Sequence, residues 1–296
     1  MSTEAREHAT ERLAVRKTYK LYIGGAFPRS ESGRSYPVLS SKGELLAHAS
    51  QASRKDVRDA VVAARKAVKG WSGATAYNRG QVLYRVAEML EGRRLQFANE
   101  IAQAEGGSNR TALAQVDDAI DRWVYYAGWA DKYAQVAGAT DPVAGPYFTF
   151  SVPEPTGVVA VIAPQDSSLL GLVSVLAPVL TTGNTAVVLS SEQHPLPAVS
   201  LTEVLETSDL PGGVVNLLTG RTAELAPWLA SHRDVNAIDL TGVTDAALRR
   251  DLEIAAADNV KRVLAPAQPP KWSDDPGTGR LGAFVETKTV WHPIGV

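Results

Sequence analysis

Apolar positions recur along this chain at two periods. From Asp56 to Val68 (DVRDAVVAARKAV) they fall at helical spacing behind an aspartate suited to cap a helix N-terminus. A second helix is predicted from about Tyr77 to Ala104, with Val82, Leu83, Val86, Met89 and Leu90 on one face. A third, aromatic-rich stretch from about Thr111 to Val136 aligns Trp123, Tyr126, Ala127 and Ala130. Such stripes are core and helix-packing surfaces. Ahead of them, Leu21 to Phe27 reads as a strand entering a Gly24-Gly25 turn that opens a β-hairpin. Residues 1 to 18 are polar and read as a solvated, frayed helical extension.

From Gly157 the period changes. Short β-branched runs, Gly157–Ala163 and Thr185–Leu189, have the composition of parallel strands buried on both faces. Between and after them the chain predicts helix Leu169–Leu180, a Gly183-Asn184 turn, helix Leu196–Ser208, strand Val214–Leu218, helix Ala223–Ala230, strand Ala237–Leu240, helix Thr244–Ala257 and strand Val260–Leu264. This alternation is that of a doubly wound, Rossmann-like parallel sheet. After Leu264 it breaks down in the Pro-, Asp- and Gly-rich APAQPPKWSDDPGTGR, an irregular linker. Phe284 to Trp291 then alternates as one last strand without a hairpin partner, so it is expected to seek a sheet edge, that of another subunit being the candidate.

Composition narrows the chemistry. The formal net charge of the 296 residues is -2, without the basic excess that nucleic acid binding needs. The N-terminus has no apolar signal region and no apolar run reaches membrane-spanning length, so a cytoplasmic protein is expected. Cysteine is absent, which removes disulfides, thiolate metal sites and thiol nucleophiles; the five histidines show no paired ligand spacing, and no metal is expected. Ser167 and Ser168 stand in no GxSxG elbow, which argues against a hydrolase.

Eight segments in order, YIGGAF, DVRDAVVAARKAVKGWS, RVAEMLEGRRLQFANEIA, EPTGVVAVIAP, LAPVLTTGNTAVVLSSEQHPL, DLPGGVVNLLTG, LASHRDV and DLTGVT, resemble the aldehyde dehydrogenase superfamily. The resemblance implies an α/β fold of that type, with N-terminal helices around the sheet and a projecting C-terminal oligomerisation strand. It also implies a catalytic cysteine, which this chain lacks. Other departures follow the cofactor motifs. The family's Pro-Trp-Asn turn, whose Asn helps hold the oxyanion, reads Pro164-Gln165-Asp166, and an ionised Asp166 repels developing negative charge. Its Lys-Pro-Ser-Glu ribose segment reads Leu189-Ser190-Ser191-Glu192, keeping only Glu192. Its Gly-x-Gly-x-x-x-Gly segment keeps only Gly220, and its Phe-Thr-Gly-Ser turn keeps Thr241 and Gly242 but ends in Val243. Glu192, Thr241, Gly242 and Gly220 are therefore the vestigial cofactor positions. No cofactor is expected to be required, with weak NAD(P) binding the alternative.

After Val263 the family continues into a Leu-Glu-Leu-Gly-Gly segment with its general base, then its catalytic domain. Here a linker leads to a tail, FVETKTVWHPIG, similar to the family's extreme C-terminus. The organisation is read as a polar extension (1–18), a dinucleotide-binding-type domain (19–264), a linker in place of the catalytic domain (265–280) and an oligomerisation strand (281–296). The arrangement resembles the C-terminal pseudo-domain of class-16 aldehyde dehydrogenases. The resemblance implies a catalytically inactive subunit whose partner is a full-length aldehyde dehydrogenase, or else a homodimer. Interface residues are expected at Phe284, Val285, Thr287, Thr289, Val290 and Trp291. An NAD(P) sensor and a weakly active aldehyde oxidoreductase are the alternatives.

Overall fold

The computed structural model describes residues 15–268 and 270–295; of the helical extension expected over residues 1–18, residues 1–14 lie outside it, and residues 15–18 are not helical, Thr18 opening a strand. Strands β1 (Thr18–Tyr19), β2 (Ser35–Leu39) and β3 (Leu45–Ser50) form a small sheet that the sequence reading missed. Between β1 and β2 the Gly24-Gly25 turn is present: Ile23 and Ala26 exchange backbone hydrogen bonds of 2.9 and 3.1 Å, and both glycines have positive φ, 64° and 81°. Four helices follow, α1 (Arg54–Gly73), α2 (Ala76–Glu91), α3 (Arg94–Glu105) and α4 (Asn109–Trp129), then the short α5 (Tyr133–Ala137). Two predicted helices are therefore each divided. The second breaks at Gly92-Arg93, where glycine weakens the helix and the Arg93 guanidinium turns away to Glu203 at 2.8 Å. The cap of α1 is Ser53 and not Asp56; Asp56 completes a capping box by accepting from the Ser53 N–H at 2.7 Å.

Strands β4 (Ala139–Thr140) and β5 (Tyr147–Pro155) lead into the doubly wound part: β6 (Val158–Ile162), α6 (Leu170–Thr181), β7 (Thr185–Leu189), α7 (Leu196–Glu206), β8 (Val215–Leu218), α8 (Thr222–Ser231), β9 (Ala237–Asp239), α9 (Ala246–Ala257) and β10 (Arg262–Leu264). The five parallel strands lie in the order β10-β9-β6-β7-β8, and β6 to β9 are buried throughout. Side chains alternate across the sheet. Val158, Ala160, Ile162, Val187 and Leu189 face α1, α8 and α9, whereas Val159, Val161, Ala186 and Val188 face α6 and α7, backed by α2 to α4. Helix α6 is buried all round because it lies between the sheet and α4, so it carries no polar stripe. At the outer edge Tyr22 exchanges bonds of 3.0 and 2.7 Å with Leu217 and covers β8. Among the described residues no helix is long and apolar enough to cross a membrane.

The chain ends in α10 (Gly279–Ala283) and β11 (Val285–Pro293). Here the structure corrects two expectations. The last strand has a partner in its own chain: it runs antiparallel to β5, from Val285 opposite Pro155 to Pro293 opposite Tyr147. The sequence reading missed β5 and so left β11 without a partner. Phe284 is not an interface residue either, since its ring is buried in the main core. Its carbonyl accepts from Asn184 Nδ2 at 2.9 Å, while Asn184 Oδ1 accepts from the Gly157 N–H at 2.8 Å. The Gly183-Asn184 turn thus anchors the root of the C-terminal strand.

Candidate functional site

Strand β6 leads through α6 to β7 on one side, while β9 lies on its other side. The crevice outside the carboxyl ends of β6 and β9 is thus the topological switch point, where open α/β sheets bind ligands. A cleft of about 320 Å³ opens there, lined by Gln165 and Asp166 after β6, by Thr241 and Gly242 after β9, and by Arg249 and Trp272. Asp166 is exposed at its rim.

The four vestigial cofactor positions all lie on the turns at this edge, and their polar groups are engaged within the chain. Both Glu192 carboxylate oxygens are taken, one by Arg221 at 2.5 Å and the other by the Thr222 N–H at 3.0 Å, the first turn of α8. Glu192 therefore caps a helix N-terminus, a favourable place for a carboxylate. Beside it the buried Tyr36 hydroxyl has no hydrogen-bond partner among the described residues. Burial, reinforced by the Glu192 carboxylate, holds its phenol above the ordinary tyrosine range. Thr241 donates to Asp239 through both its N–H and its hydroxyl, and that hydroxyl accepts from Arg280 Nη2 at 3.1 Å.

Gly242 is required by close backbone packing, and Gly220 by its backbone conformation, φ 151°, which residues with side chains rarely adopt. A Cβ on Gly242 would lie 2.0 Å from the Ala163 carbonyl oxygen, and one on Gly220 would lie 2.9 Å from Leu225 Cδ1. Leu189, where the resemblance places a lysine, is a buried hydrocarbon side chain with no hydrogen bond to give. As arranged, the retained acid and hydroxyl, which the family resemblance would set against a ribose and phosphates, are hydrogen-bonded within the chain.

Arginines from three elements hold the linker. Arg249 of α9 donates to the Pro266 carbonyl at 2.6 Å, and Arg122 of α4 to the Trp272 and Asp274 carbonyls at 2.6 and 3.1 Å. Arg280 of α10 pairs with the fully buried Asp239 at 2.8 Å. Burial pushes the Asp239 carboxyl above the usual carboxylate range, and Arg280 and the Thr241 hydrogen bonds pull it back. Ser168 donates to Glu105 at 2.5 Å and the Ser167 hydroxyl accepts from the Gly171 N–H at 2.8 Å; both serve the entry of α6, and among the described residues no histidine bonds either. Among the described residues no cluster of three metal-ligating side chains exists.

The second surface is the three-stranded arm, in the order β11-β5-β4. Thr156 N–H donates to Phe284 O and Ile294 N–H to Pro146 O, which fixes the even-numbered residues of β11 as those bonded to β5. The N–H groups of Val285, Thr287, Thr289 and Trp291 therefore face outward along an edge that no other strand pairs among the described residues. On β5 the odd residues face β4, and two of them, Pro153 and Pro155, lie beyond the reach of that two-residue strand and have no N–H to offer. One edge of the arm is blunted and the other is open. Side chains of Thr287, Thr289 and Trp291 are exposed; Val285 and Val290 are half-buried.

The model of the aldehyde dehydrogenase family matches residues 27–266. The chain belongs to this family. Aldehyde dehydrogenase, cytosolic 1, of Elephantulus edwardii is 34% identical over 249 residues, covering 82% of this chain and 49% of that protein. Among solved structures, HpcC from Thermus thermophilus has a TM-score of 0.78 at 31% identity, covering 83% of this chain and 47% of its own. An aldehyde dehydrogenase from Bacillus cereus, solved as its NAD+ complex, has a TM-score of 0.77 at 28% identity, covering 83% and 50%. The chain thus spans about half the length of the family members it matches.

Within the family fold, Arg280, Asp239, Arg122 and Arg249 are the residues sequence reasoning missed. A charged Asp239 inside an otherwise apolar strand, AID, was the signal available for a buried counter-ion. Nothing local pointed to Arg280 as its partner.

Proposed function

We propose that this chain is a catalytically inactive aldehyde dehydrogenase-like subunit that assembles with a full-length NAD(P)-dependent aldehyde dehydrogenase and completes or stabilises its oligomer. The observation that carries this reading is a pairing of loss and retention. The sequence contains no cysteine for thiolate attack on an aldehyde, yet the arm is fully built and ends in an open edge with four outward N–H groups. Strand addition uses such an edge: main-chain hydrogen bonds supply affinity and the alternating side chains supply selectivity. In this reading Val285, Thr287, Thr289, Val290 and Trp291 form the contact, and Phe284 anchors the strand from behind.

The register separates docking from folding. Thr289→Pro removes an outward N–H and the exposed hydroxyl hydrogen bond between Thr289 and Ser151 (2.8 Å) but no ladder bond to β5, so it is expected to cost no more than about 1 kcal/mol while weakening assembly about tenfold or more. Lys288→Pro removes a hydrogen bond to β5 and is expected to cost about 1–3 kcal/mol. Chemical denaturation of both variants, with analytical ultracentrifugation against the full-length enzyme, makes the comparison. Equal assembly by wild type and Thr289→Pro would remove β11 from the interface.

Cofactor is not needed for this role. Calorimetric titration of the purified chain with NAD+ is expected to give a Kd weaker than about 1 mM, because Glu192 and Thr241 would first have to give up internal bonds. Saturation in the micromolar range would favour an NAD(P) sensor instead, and aldehyde-dependent NADH formation by the chain alone would overturn the inactive assignment.

A further inference from the structure

An edge with outward N–H groups at Val285, Thr287, Thr289 and Trp291 is a template for another strand whenever its partner is absent. We propose that a second copy of this chain then covers it, β11 lying antiparallel to β11 across a two-fold axis through Thr287. The inference rests on reading the arm as an assembly element, and adds an occupant that the proposed heteromeric complex would have to displace.

Parity and charge select this register. Self-pairing must bring odd residues opposite odd residues, because only these have N–H and C=O groups free. A two-fold axis at Thr287 meets that condition and places Glu286 of each copy directly opposite Lys288 of the other, two cross-strand pairs of opposite sign. An axis at Lys288 also satisfies parity but sets the two lysines face to face. An axis at Thr289 sets Lys288 opposite Val290 and leaves the two lysines as diagonal neighbours. Glu286 and Lys288 are both exposed, and their existing partners, Arg262 at 3.8 Å and Glu154 at 2.9 Å, form exposed pairs that can be shared or exchanged. The other side of the arm cannot serve in the same way, since Pro153 and Pro155 blunt it. A ladder centred on Thr287 joins mainly residues 285–289 of each copy, a contact smaller than the roughly 1,200–2,000 Å² of a stable interface. The self-pair is therefore weak enough for a larger partner to replace.

The absence of cysteine makes the test clean, because each introduced thiol is unique. Thr287→Cys and Thr289→Cys are exposed substitutions outside the core. They are prepared separately, at high micromolar concentration and without any other protein, and treated with a short bifunctional thiol reagent. In the proposed register the two thiols introduced at position 287 adjoin, whereas the two introduced at position 289 lie about 13 Å apart along the strands, beyond such a bridge. Thr287→Cys is expected to yield a covalent dimer at least tenfold faster than Thr289→Cys, and sedimentation of wild type is expected to show a concentration-dependent dimer. A strictly monomeric wild type, or equal or reversed cross-linking of the two variants, would overturn the proposal. Neither result bears on capture of a full-length aldehyde dehydrogenase, so the two readings fail separately.

Discussion

Alanine at Gly242 is expected to destabilise the protein by about 3–5 kcal/mol, a large part of a typical folding margin. The Gly242 N–H donates to the Ile162 carbonyl at 3.1 Å, tying the turn after β9 to the end of β6. A Cβ there would lie 2.0 Å from the Ala163 carbonyl oxygen, 2.4 Å from its carbonyl carbon and 2.6 Å from the Ile162 oxygen. All three are backbone atoms of the central strand's exit, so no side chain can rotate away; β6 and β9 would have to separate. Urea denaturation of Gly242→Ala measures the loss, and a midpoint within error of wild type would show that the turn relaxes freely. The demand for glycine here comes from close backbone approach, whether or not a phosphate ever meets the turn.

Arg280→Ala is expected to cost a similar amount, about 3–5 kcal/mol at neutral pH, because it leaves the fully buried Asp239 without its counter-ion. The cost should depend on pH in a fixed direction. Burial already raises the Asp239 carboxyl above its unfolded value, and loss of Arg280 raises it further. An acid with a raised folded pKa contributes stability that is complete below its unfolded value, near 4, and lost as pH rises through the folded value. The gap between wild type and Arg280→Ala should therefore widen from about pH 4 to neutrality and narrow again on acidification. Parallel denaturation series at several pH values test this; a gap that is small or constant with pH would mean that Asp239 is solvated or neutral in the native protein.

These two sites also show what the sequence could and could not reveal. The parallel sheet was legible because Val158–Ile162 and Thr185–Leu189 are short, β-branched and bounded by turn residues, signals that act locally. The ends of the long helices were less legible, since Gly92-Arg93 breaks a continuous apolar stripe through a contact with Glu203 more than a hundred residues away. Strand β5 was missed although Tyr147–Val152 alternates: proline is a strand breaker in a central position, and the edge position of Pro153 and Pro155 explains why this strand tolerates them. Missing β5 led directly to the wrong partner for β11 and to the placement of Phe284 on an interface. At the candidate site the positions of Glu192, Thr241, Gly242 and Gly220 were readable from motif spacing, but their engagement was not. Arg221 and Arg280 reach them only once the chain has folded, Arg280 across 41 residues to Asp239.

The central claim is that the chain works as an inactive subunit of an aldehyde dehydrogenase assembly, and the most direct test is capture at low expression in the native host. The tagged wild-type chain and its Thr289→Pro variant are purified in parallel, the eluates identified by mass spectrometry and sized in solution. The account predicts a stoichiometric, cysteine-containing aldehyde dehydrogenase with wild type and its depletion with the variant. Recovery of this chain without any such enzyme, in whatever oligomeric form, would contradict it.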